Sequence, residues 1–340
     1  MKKFSILAAA AAMTASSLFA EGIQINKHLN LSGFVDMSYQ NVDSDVAGGD
    51  KSTFSMDQAE LDFTVTAAQG LSARVDVEAK PSNTTGSDDV RLEQARIDYA
   101  VNNWTLTLGK FDTFIGLEAI EPTGMYQYSN SLVWSLEPTQ HTGMSLAYDN
   151  GFFNGAIALV NSLTAYNQDN NDEIGVALHA GFTPNKAWSF NLNYATSEEA
   201  NGNGGAATSP AAGTEADTTL LTADISWSNY GWTVGFEYGN LEVDRVGTAS
   251  DLEDTAMSLM ANYAFTERFA LTGRYSVSEG KTGGDISEFT ISPSYALTEN
   301  WSALLELRSE SADANFAGTN NLIGGGADAT IITLETTLSF

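Results

Sequence analysis

A strict alternation of apolar and polar residues recurs along the length of this chain. The segments 71–80, 188–194, 232–239, 257–265 and 332–340 all show this alternation. A period of two residues is typical of a β-strand with one apolar face, and no comparable segment has the helical period. The sequence therefore predicts an all-β protein.

The connections between these segments alternate between short and long. Short ones lie near 67–70, 102–103, 149–152, 183–186, 228–230, 266–268 and 298–300, and long polar ones near 41–52, 81–88, 112–140, 163–171, 197–217, 242–254, 279–285 and 311–328. Seven turns and eight loops join about sixteen strands, with eighteen as the alternative. This pattern predicts a transmembrane antiparallel up-and-down β-barrel.

Aromatic residues form a second, independent pattern. Nearly every short turn has one beside it, in the apolar phase of its strand: Phe63, Tyr99, Trp104, Tyr148, Phe153, Phe182, Trp188, Trp227, Trp232, Phe265, Phe269, Trp301 and Phe340. Amphipathic rings at one height are typical of the boundary between a lipid bilayer and water. A soluble β-sandwich could share the alternation, but it has no reason to place an aromatic at the same end of each hairpin.

Charge and cysteine content exclude several classes of function. The chain has 15 Lys and Arg against 43 Asp and Glu, a net charge of −28, and no cysteine. Such acidity argues against nucleic acid as a partner, and the lack of cysteine excludes disulfides and thiolate metal sites. The excess acid has two interpretations: a negative, cation-preferring lumen, or acidic outer loops that bind divalent cations and lipopolysaccharide. The second rests on Asp43, Asp45, Asp50, Asp169, Asp172 and Glu173, which lack the spacing of a calcium loop, so we expect no metal and no cofactor.

The N-terminus has the pattern of an export signal. Lys2 and Lys3 precede a short apolar stretch, and Ala20 is a small residue before the expected cut. The sequence predicts a cleaved signal peptide over 1–20 and a single barrel domain over 21–340, located in a bacterial outer membrane.

If the apolar phase faces lipid, the polar phase faces a lumen that sixteen strands make too wide for side chains to fill. Four arginines are expected on this wall: Arg74, Arg96, Arg274 and Arg308. The other polar residues in the inward phase are Asp36, Glu60, Asp62, Asp76, Glu78, Asp98, Asn191, Asn193, Asp224, Glu237, Glu306 and Glu335.

The connection 112–140 is the longest, and it differs from the others in composition. It contains Phe114, Ile115, Leu132, Val133 and Trp134, which a loop in water would not need. We therefore expect it to fold into the barrel and pack on the wall. Glu118 and Glu121 of this loop would then face wall arginines across a narrow pore and set its selectivity. The alternative is that 131–137 forms another strand.

Two smaller features concern individual strands. Segment 56–65 resembles segment 92–101, through either convergence or duplication of a hairpin. Pro293 lies inside a strand, where it removes a ladder donor, and a β-bulge is the expected accommodation.

The run 106–118, the long third loop and the ending 336–340 resemble Gram-negative outer-membrane porins. More narrowly, the loop 121–141 with the following Thr-Gly-Met resembles the β-barrel porin families that are distinct from enterobacterial general porins. This resemblance implies a passive channel, usually a homotrimer, whose C-terminal aromatic is recognised by the barrel-assembly machinery. Phe340 occupies that terminal position.

Three functions remain open on the sequence alone. The first is a water-filled channel for passive diffusion of small hydrophilic solutes and ions, and the second is a substrate-specific outer-membrane channel. The third, an outer-membrane enzyme or adhesin, is poorly supported, because the three histidines (His28, His141 and His179) have no marked nucleophile beside them. We therefore expect a channel without catalytic residues.

Overall fold

A computed structural model describes residues 22–45, 49–81, 88–163, 173–199, 216–245, 251–280, 284–313 and 328–340. The predicted signal peptide 1–20 and the acidic residues Asp169 and Asp172 lie outside these ranges. The strands are β1 Ile23–Asn26, β2 Leu29–Ser44, β3 Lys51–Ala68, β4 Leu71–Pro81, β5 Asp88–Val101, β6 Trp104–Asp112, β7 Gln140–Asp149, β8 Phe153–Val160, β9 Gly175–Asn185, β10 Trp188–Glu199, β11 Ala216–Asn229, β12 Trp232–Arg245, β13 Leu252–Ala264, β14 Phe269–Gly280, β15 Gly284–Ala296, β16 Trp301–Ala312 and β17 Asp328–Ser339.

Strands β2 to β17 form a closed antiparallel barrel of sixteen strands. Each pairs with its neighbours in the chain, and β17 closes the ring on β2 from Ala329 opposite Ser44 to Ser339 opposite Phe34. The short β1 pairs with the first residues of β2. The predicted fold and the lower strand count are confirmed. Segment 131–137 is not a strand, and it contains a one-turn 3-10 helix at Trp134–Leu136.

The period-two pattern determines which side chains face outward, because successive side chains of a strand point to opposite faces. On β17, Leu334 is 53% exposed and Leu338 is 48% exposed, whereas the intervening Glu335 and Thr337 are 4% and 7% exposed. The barrel therefore carries its apolar residues on the outside and its polar residues on the inside.

The aromatic residues beside the short turns contact one another across strands. Trp232 and Tyr263 have ring centroids 4.6 Å apart, and Trp104 and Tyr148 are 4.9 Å apart. Such pairs stabilise neighbouring strands while they present ring faces to the surroundings of the barrel.

Helices are nearly absent from the described ranges. The two there are the one-turn 3-10 helices Pro122–Gly124 and Trp134–Leu136, both in the connection between β6 and β7. In that part of the chain, no helix has the length and apolar character needed to cross a membrane.

Pro293 is accommodated differently from the prediction. On the β14 side it stays in register opposite Leu271. On the β16 side the pairing is interrupted between Ile291 and Ser294 and resumes without a shift of register. The expected bulge was wrong, because a proline lacks one N–H group and therefore loses pairing with only one of its two neighbours.

Two bulges occur instead at equivalent places in the resembling segments 56–65 and 92–101. Asp57 is the extra residue between the pairs Asp36–Gln58 and Met37–Met56. Glu93 is the extra residue between the pairs Asp76–Gln94 and Val77–Leu92. A bulge breaks the period of two, so an acidic residue and the following glutamine can both face inward.

Candidate functional site

The connection between β6 and β7 (113–139, called the inner loop) lies inside the barrel. Phe114, Ile115 and Val133 are buried in one apolar cluster with inward-facing wall residues. These wall residues are Ala158, Val160, Ala177, Ala195, Leu220, Leu241, Val243 and Ala256. The inward phase is therefore not polar throughout, because on β8–β13 the wall is apolar where it supports the loop.

The loop packs closely on the wall at Gly239 of β12. A Cβ atom at this position would lie 3.0 Å from Cγ1 of Val133 and 3.2 Å from Cδ1 of Leu136. A glycine here leaves room for the loop to pack directly on the strand.

Arg274 on β14 attaches the opposite part of the loop. Its Nη1 lies 3.0 Å from Oε1 of Glu118, and its guanidinium donates to the backbone oxygens of Ser129 and Asn130 at 2.5 and 2.8 Å. Its Nη2 also lies 2.8 Å from Oε1 of Glu288 on β15. The side chain of Arg274 is fully buried. This arginine therefore joins two wall strands to the inner loop.

Two wall carboxylates accept hydrogen bonds from the loop backbone. Leu117 N–H donates to Oε1 of Glu237 at 2.7 Å, and Ser129 N–H donates to Oε2 of Glu306 at 3.0 Å. Both glutamates are 1% exposed. Their expected position on the open pore wall was wrong, because the loop covers them and uses them as anchors.

Glu137 lies at the end of the inner loop, buried against Glu237. Burial raises the pKa of Glu137 from its ordinary value of 4.5 to about 8, and the negative charge of Glu118 adds to this effect, although a hydrogen bond with Glu237 opposes it. That hydrogen bond lowers the pKa of Glu137 because Glu137 accepts it from Glu237, and a proton held within the pair avoids two facing charges at the base of the loop.

Glu121 does not face a wall arginine, so this part of the expected constriction was wrong. Its Oε2 accepts a hydrogen bond from Nε2 of Gln58 at 3.0 Å, and its nearest carboxylates are Glu60 and Glu93. Burial and the charge of Glu93 raise the pKa of Glu121 well above its ordinary value. The bulge at Glu93 explains the error, because strict alternation would place this acid outside the barrel.

The other predicted wall arginines lie away from the loop carboxylates. Arg74 pairs with Asp76 at 2.7 Å and with Asp62 at 3.7 Å, and Arg96 pairs with Asp98 at 3.2 Å. Arg74 and Arg96 are directly opposite each other on β4 and β5.

Two further predicted residues are also paired on the wall. Arg308 pairs with Glu310 at 3.1 Å and with Glu288 at 3.9 Å. Asp224 accepts from Asn191 at 2.8 Å. Of the predicted loop–arginine contacts, only that of Glu118 with Arg274 is present among the described residues.

His179 packs against the inner loop rather than beside a nucleophile. Its two ring nitrogens lie 2.7 Å from Oδ1 of Asn193 and 2.5 Å from Oδ1 of Asn154. Its ring centroid is 5.9 Å from that of Phe114. Both nitrogens are thus engaged by amide side chains, which gives this histidine a structural role.

Two cavities lie on opposite sides of the inner loop. The inner cavity, of about 550 Å³, is lined by residues of the short turns, such as Asn229, Thr266 and Asn300. The outer cavity, of about 570 Å³, is lined by residues nearer the long connections, such as Gln40 and Lys80. Pro122, Met125 and Glu335 line both cavities. The two spaces therefore adjoin each other between the loop and β17, and this place is called the passage.

Acidic side chains dominate the passage. Glu335 lines both cavities, and Asp36 and Asp57 line the outer cavity beside it. Asp36 accepts a hydrogen bond from Oγ1 of Thr337 at 3.1 Å, and Oδ2 of Asp57 has no hydrogen-bond donor in the described ranges. Sequence analysis assigned Asp36 and Glu335 to the lumen, but it missed Asp57 because that residue is the extra one of a bulge.

The family to which the sequence is similar agrees with this architecture. Residues 28–340 match the family model "Putative beta-barrel porin-2, OmpL-like". The chain belongs to this porin family. The porin has no match among curated proteins. It is an outer-membrane β-barrel channel, as the resemblance of the sequence implied.

Solved porin structures share the fold at low sequence identity. An anion-selective porin from Comamonas acidovorans superposes with a TM-score of 0.71 at 14% identity, covering 92% of this porin and 99% of that chain. OmpT of Vibrio cholerae gives a TM-score of 0.67 at 14% identity, with 92% and 97% covered. Salmonella typhi OmpF, in a complex with daunomycin, gives 0.61 at 14% identity over the same shares.

Proposed function

We propose that this porin passes small hydrophilic solutes and ions by passive diffusion and that it prefers cations. The observation that supports this proposal is the passage, where two cavities adjoin each other beside Asp36, Asp57 and Glu335. Three acidic side chains beside one narrow opening favour the entry of positive charge, and confinement strengthens their field.

The wall arginines do not reverse this field, because carboxylates already compensate them. Arg274 is paired with Glu118 and Glu288, and Arg308 is paired with Glu310. Lys80 and Arg91 also line the outer cavity, but both contact the buried Glu78, and Arg91 also lies 3.7 Å from Glu93, so two carboxylates face these two cations. The uncompensated charge nearest the passage is therefore negative.

The mechanism requires neither chemistry nor an energy source. The inner loop and β17 exclude solutes that are wider than the passage, and the acidic side chains select among those that fit. Flux then follows the concentration gradient and rises in proportion to concentration. A substrate-specific channel would differ in having flux that saturates.

The assembly and its partners belong to the same proposal. Phe340 extends the pairing of β17 with β2 at the barrel seam through two further hydrogen bonds, Gly33 N–H to Phe340 O at 3.1 Å and Phe340 N–H to Gly33 O at 3.0 Å. This position is consistent with Phe340 as the signal for the barrel-assembly machinery. We further propose a cleaved signal peptide, a non-enzymatic homotrimer, and outer loops that contact lipopolysaccharide.

Planar bilayers test this function directly. Purified porin should produce stepwise, ohmic current increments, and a gradient of KCl should give a reversal potential of the sign for cation selectivity. Sugar flux into liposomes should rise linearly with concentration. An absence of conductance, or a reversal potential for anions, would contradict the proposal.

A further inference from the structure

We propose that Glu60, Glu93 and Glu121 bind one divalent cation of the Ca²⁺ type, which ties the inner loop to the barrel wall. Glu60 lies on β3, Glu93 on β5 and Glu121 in the loop. This site is separate from the passage, and it does not depend on which solutes the channel prefers.

The spacing of the three carboxylates suits such an ion. Each offers one oxygen atom, and these atoms all lie within 4.8 Å of one another. Ca²⁺ lies about 2.3–2.6 Å from its oxygen ligands, so two ligands of one ion are separated by at most about 5 Å. Ca²⁺ also tolerates the irregular arrangement that three separate segments of chain provide, whereas Mg²⁺ demands near-octahedral geometry.

Unpartnered oxygen atoms are a second, independent indication. In the part of the chain that the structure describes, Oε1 of Glu60, Oε2 of Glu93 and Oε1 of Glu121 are buried and have no hydrogen-bond partner. The side chains of Glu60 and Glu93 are each 2% exposed. Buried carboxylates without partners are costly, and a cation supplies the missing interaction.

The nearby hydrogen-bond donors contact the other oxygen atom of each of these three carboxylates. Gln58 Nε2 donates to Oε2 of Glu60 at 2.9 Å and to Oε2 of Glu121 at 3.0 Å. Gln140 Nε2 donates to Oε1 of Glu93 at 3.1 Å, and Arg91 lies 3.7 Å from the same oxygen. The amides of Gln58 and Gln140 and the more distant guanidinium of Arg91 therefore compensate only part of the negative charge of the three carboxylates.

A neighbouring acidic group contains a cation of the protein itself. Glu60, Asp62 and Asp76 also lie close together. There, Arg74 pairs with both aspartates, and Gln94 donates to Asp76 at 2.6 Å. Arg74 thus contacts both aspartates, whereas among the described residues Glu60 and Glu121 have no ion pair and Glu93 has only the 3.7 Å contact with Arg91.

The proposed site can exchange its ion with water. Gln58 and Glu93 both line the outer cavity. An ion that enters from the side of the long connections therefore reaches the site without passing the inner loop.

Calcium titration of the purified, folded porin tests this inference. Isothermal titration calorimetry with CaCl₂, after removal of lipopolysaccharide and chelation, should show one site per chain in addition to weaker surface binding. Glu121→Gln and Glu93→Gln should each weaken this site at least tenfold. Asp224→Asn is the matched control, because it also removes one buried carboxylate charge but lies on β11, which carries none of the three ligands, and it should leave calcium affinity within about twofold.

The folding of each variant is checked by gel electrophoresis, because an unheated, folded barrel migrates differently from the heat-denatured chain. Glu121→Gln changes only the loop, so this variant keeps the test valid if Glu93→Gln fails to fold. Equal calcium binding by the parent porin and Glu121→Gln would overturn the proposal. So would the absence of the strong site, which would mean that protons alone neutralise the three carboxyl groups.

Discussion

Replacing Arg274 with methionine should release the inner loop and raise the single-channel conductance several-fold. Arg274 contacts Glu118, Ser129 and Asn130 of the loop from a fully buried position. Methionine has a similar apolar length but provides no donors, so Glu118 would lose its cation and Glu288 would keep only the longer contact with Arg308. Loss of one partner from such a network typically costs about 3–5 kcal/mol. This free-energy cost exceeds the stabilisation that one ordinary hydrogen bond of the loop provides.

The matched control for this variant is Arg308→Met. Arg308 lies on the neighbouring wall and pairs with Glu310 and Glu288, which are both strand residues. We expect the conductance of Arg308→Met to change far less than that of Arg274→Met. Its current noise should stay at the level of the parent channel. If Arg274→Met has the parent conductance while its barrel remains folded, the loop is not held by this arginine.

Replacing the three acids of the passage by amides (Asp36→Asn, Asp57→Asn and Glu335→Gln together) should remove most of the cation selectivity. The amides keep the size of the side chains, so the conductance in concentrated salt should change little. The reversal potential in a KCl gradient should move most of the way toward zero. The difference should be largest at low salt, because salt screens the field of the passage.

The matched control for the passage removes three acids from an outer connection. Asp43, Asp45 and Asp50 lie near the ends of β2 and β3, outside the passage. Changing all three to asparagine removes the same formal charge, and we expect only a small shift of the reversal potential. A larger shift from this control than from the passage variant would assign the selectivity to the outer connections.

The alternation of residues was sufficient to predict the barrel, its sixteen strands and the outward apolar face. Each strand repeats the same alternation, so an error in the predicted bounds of one strand does not affect the prediction of the others. The inward fold of the loop was also predictable, because Ile115 and Val133 would be unfavourable in water.

The positions of individual charges were less predictable. Asp57 and Glu93 face inward only because each is the extra residue of a bulge, and a bulge has no clear signal in one sequence. Glu237 and Glu306 follow the inward phase, as expected, but alternation does not show which wall residues the loop covers. The loop path depends on packing between distant segments, such as Val133 on Gly239.

Single-cysteine accessibility in a bilayer tests whether outward residues of the barrel contact lipid while inward residues surround water. The chain has no cysteine of its own, so each introduced thiol is the only one present. Thr337 lines the inner cavity, and the next residue, Leu338, points outward. In a bilayer, a charged, membrane-impermeant thiol reagent should reduce the current of Thr337→Cys and leave that of Leu338→Cys unchanged. Modification of Leu338→Cys with no reaction at Thr337→Cys would contradict the account.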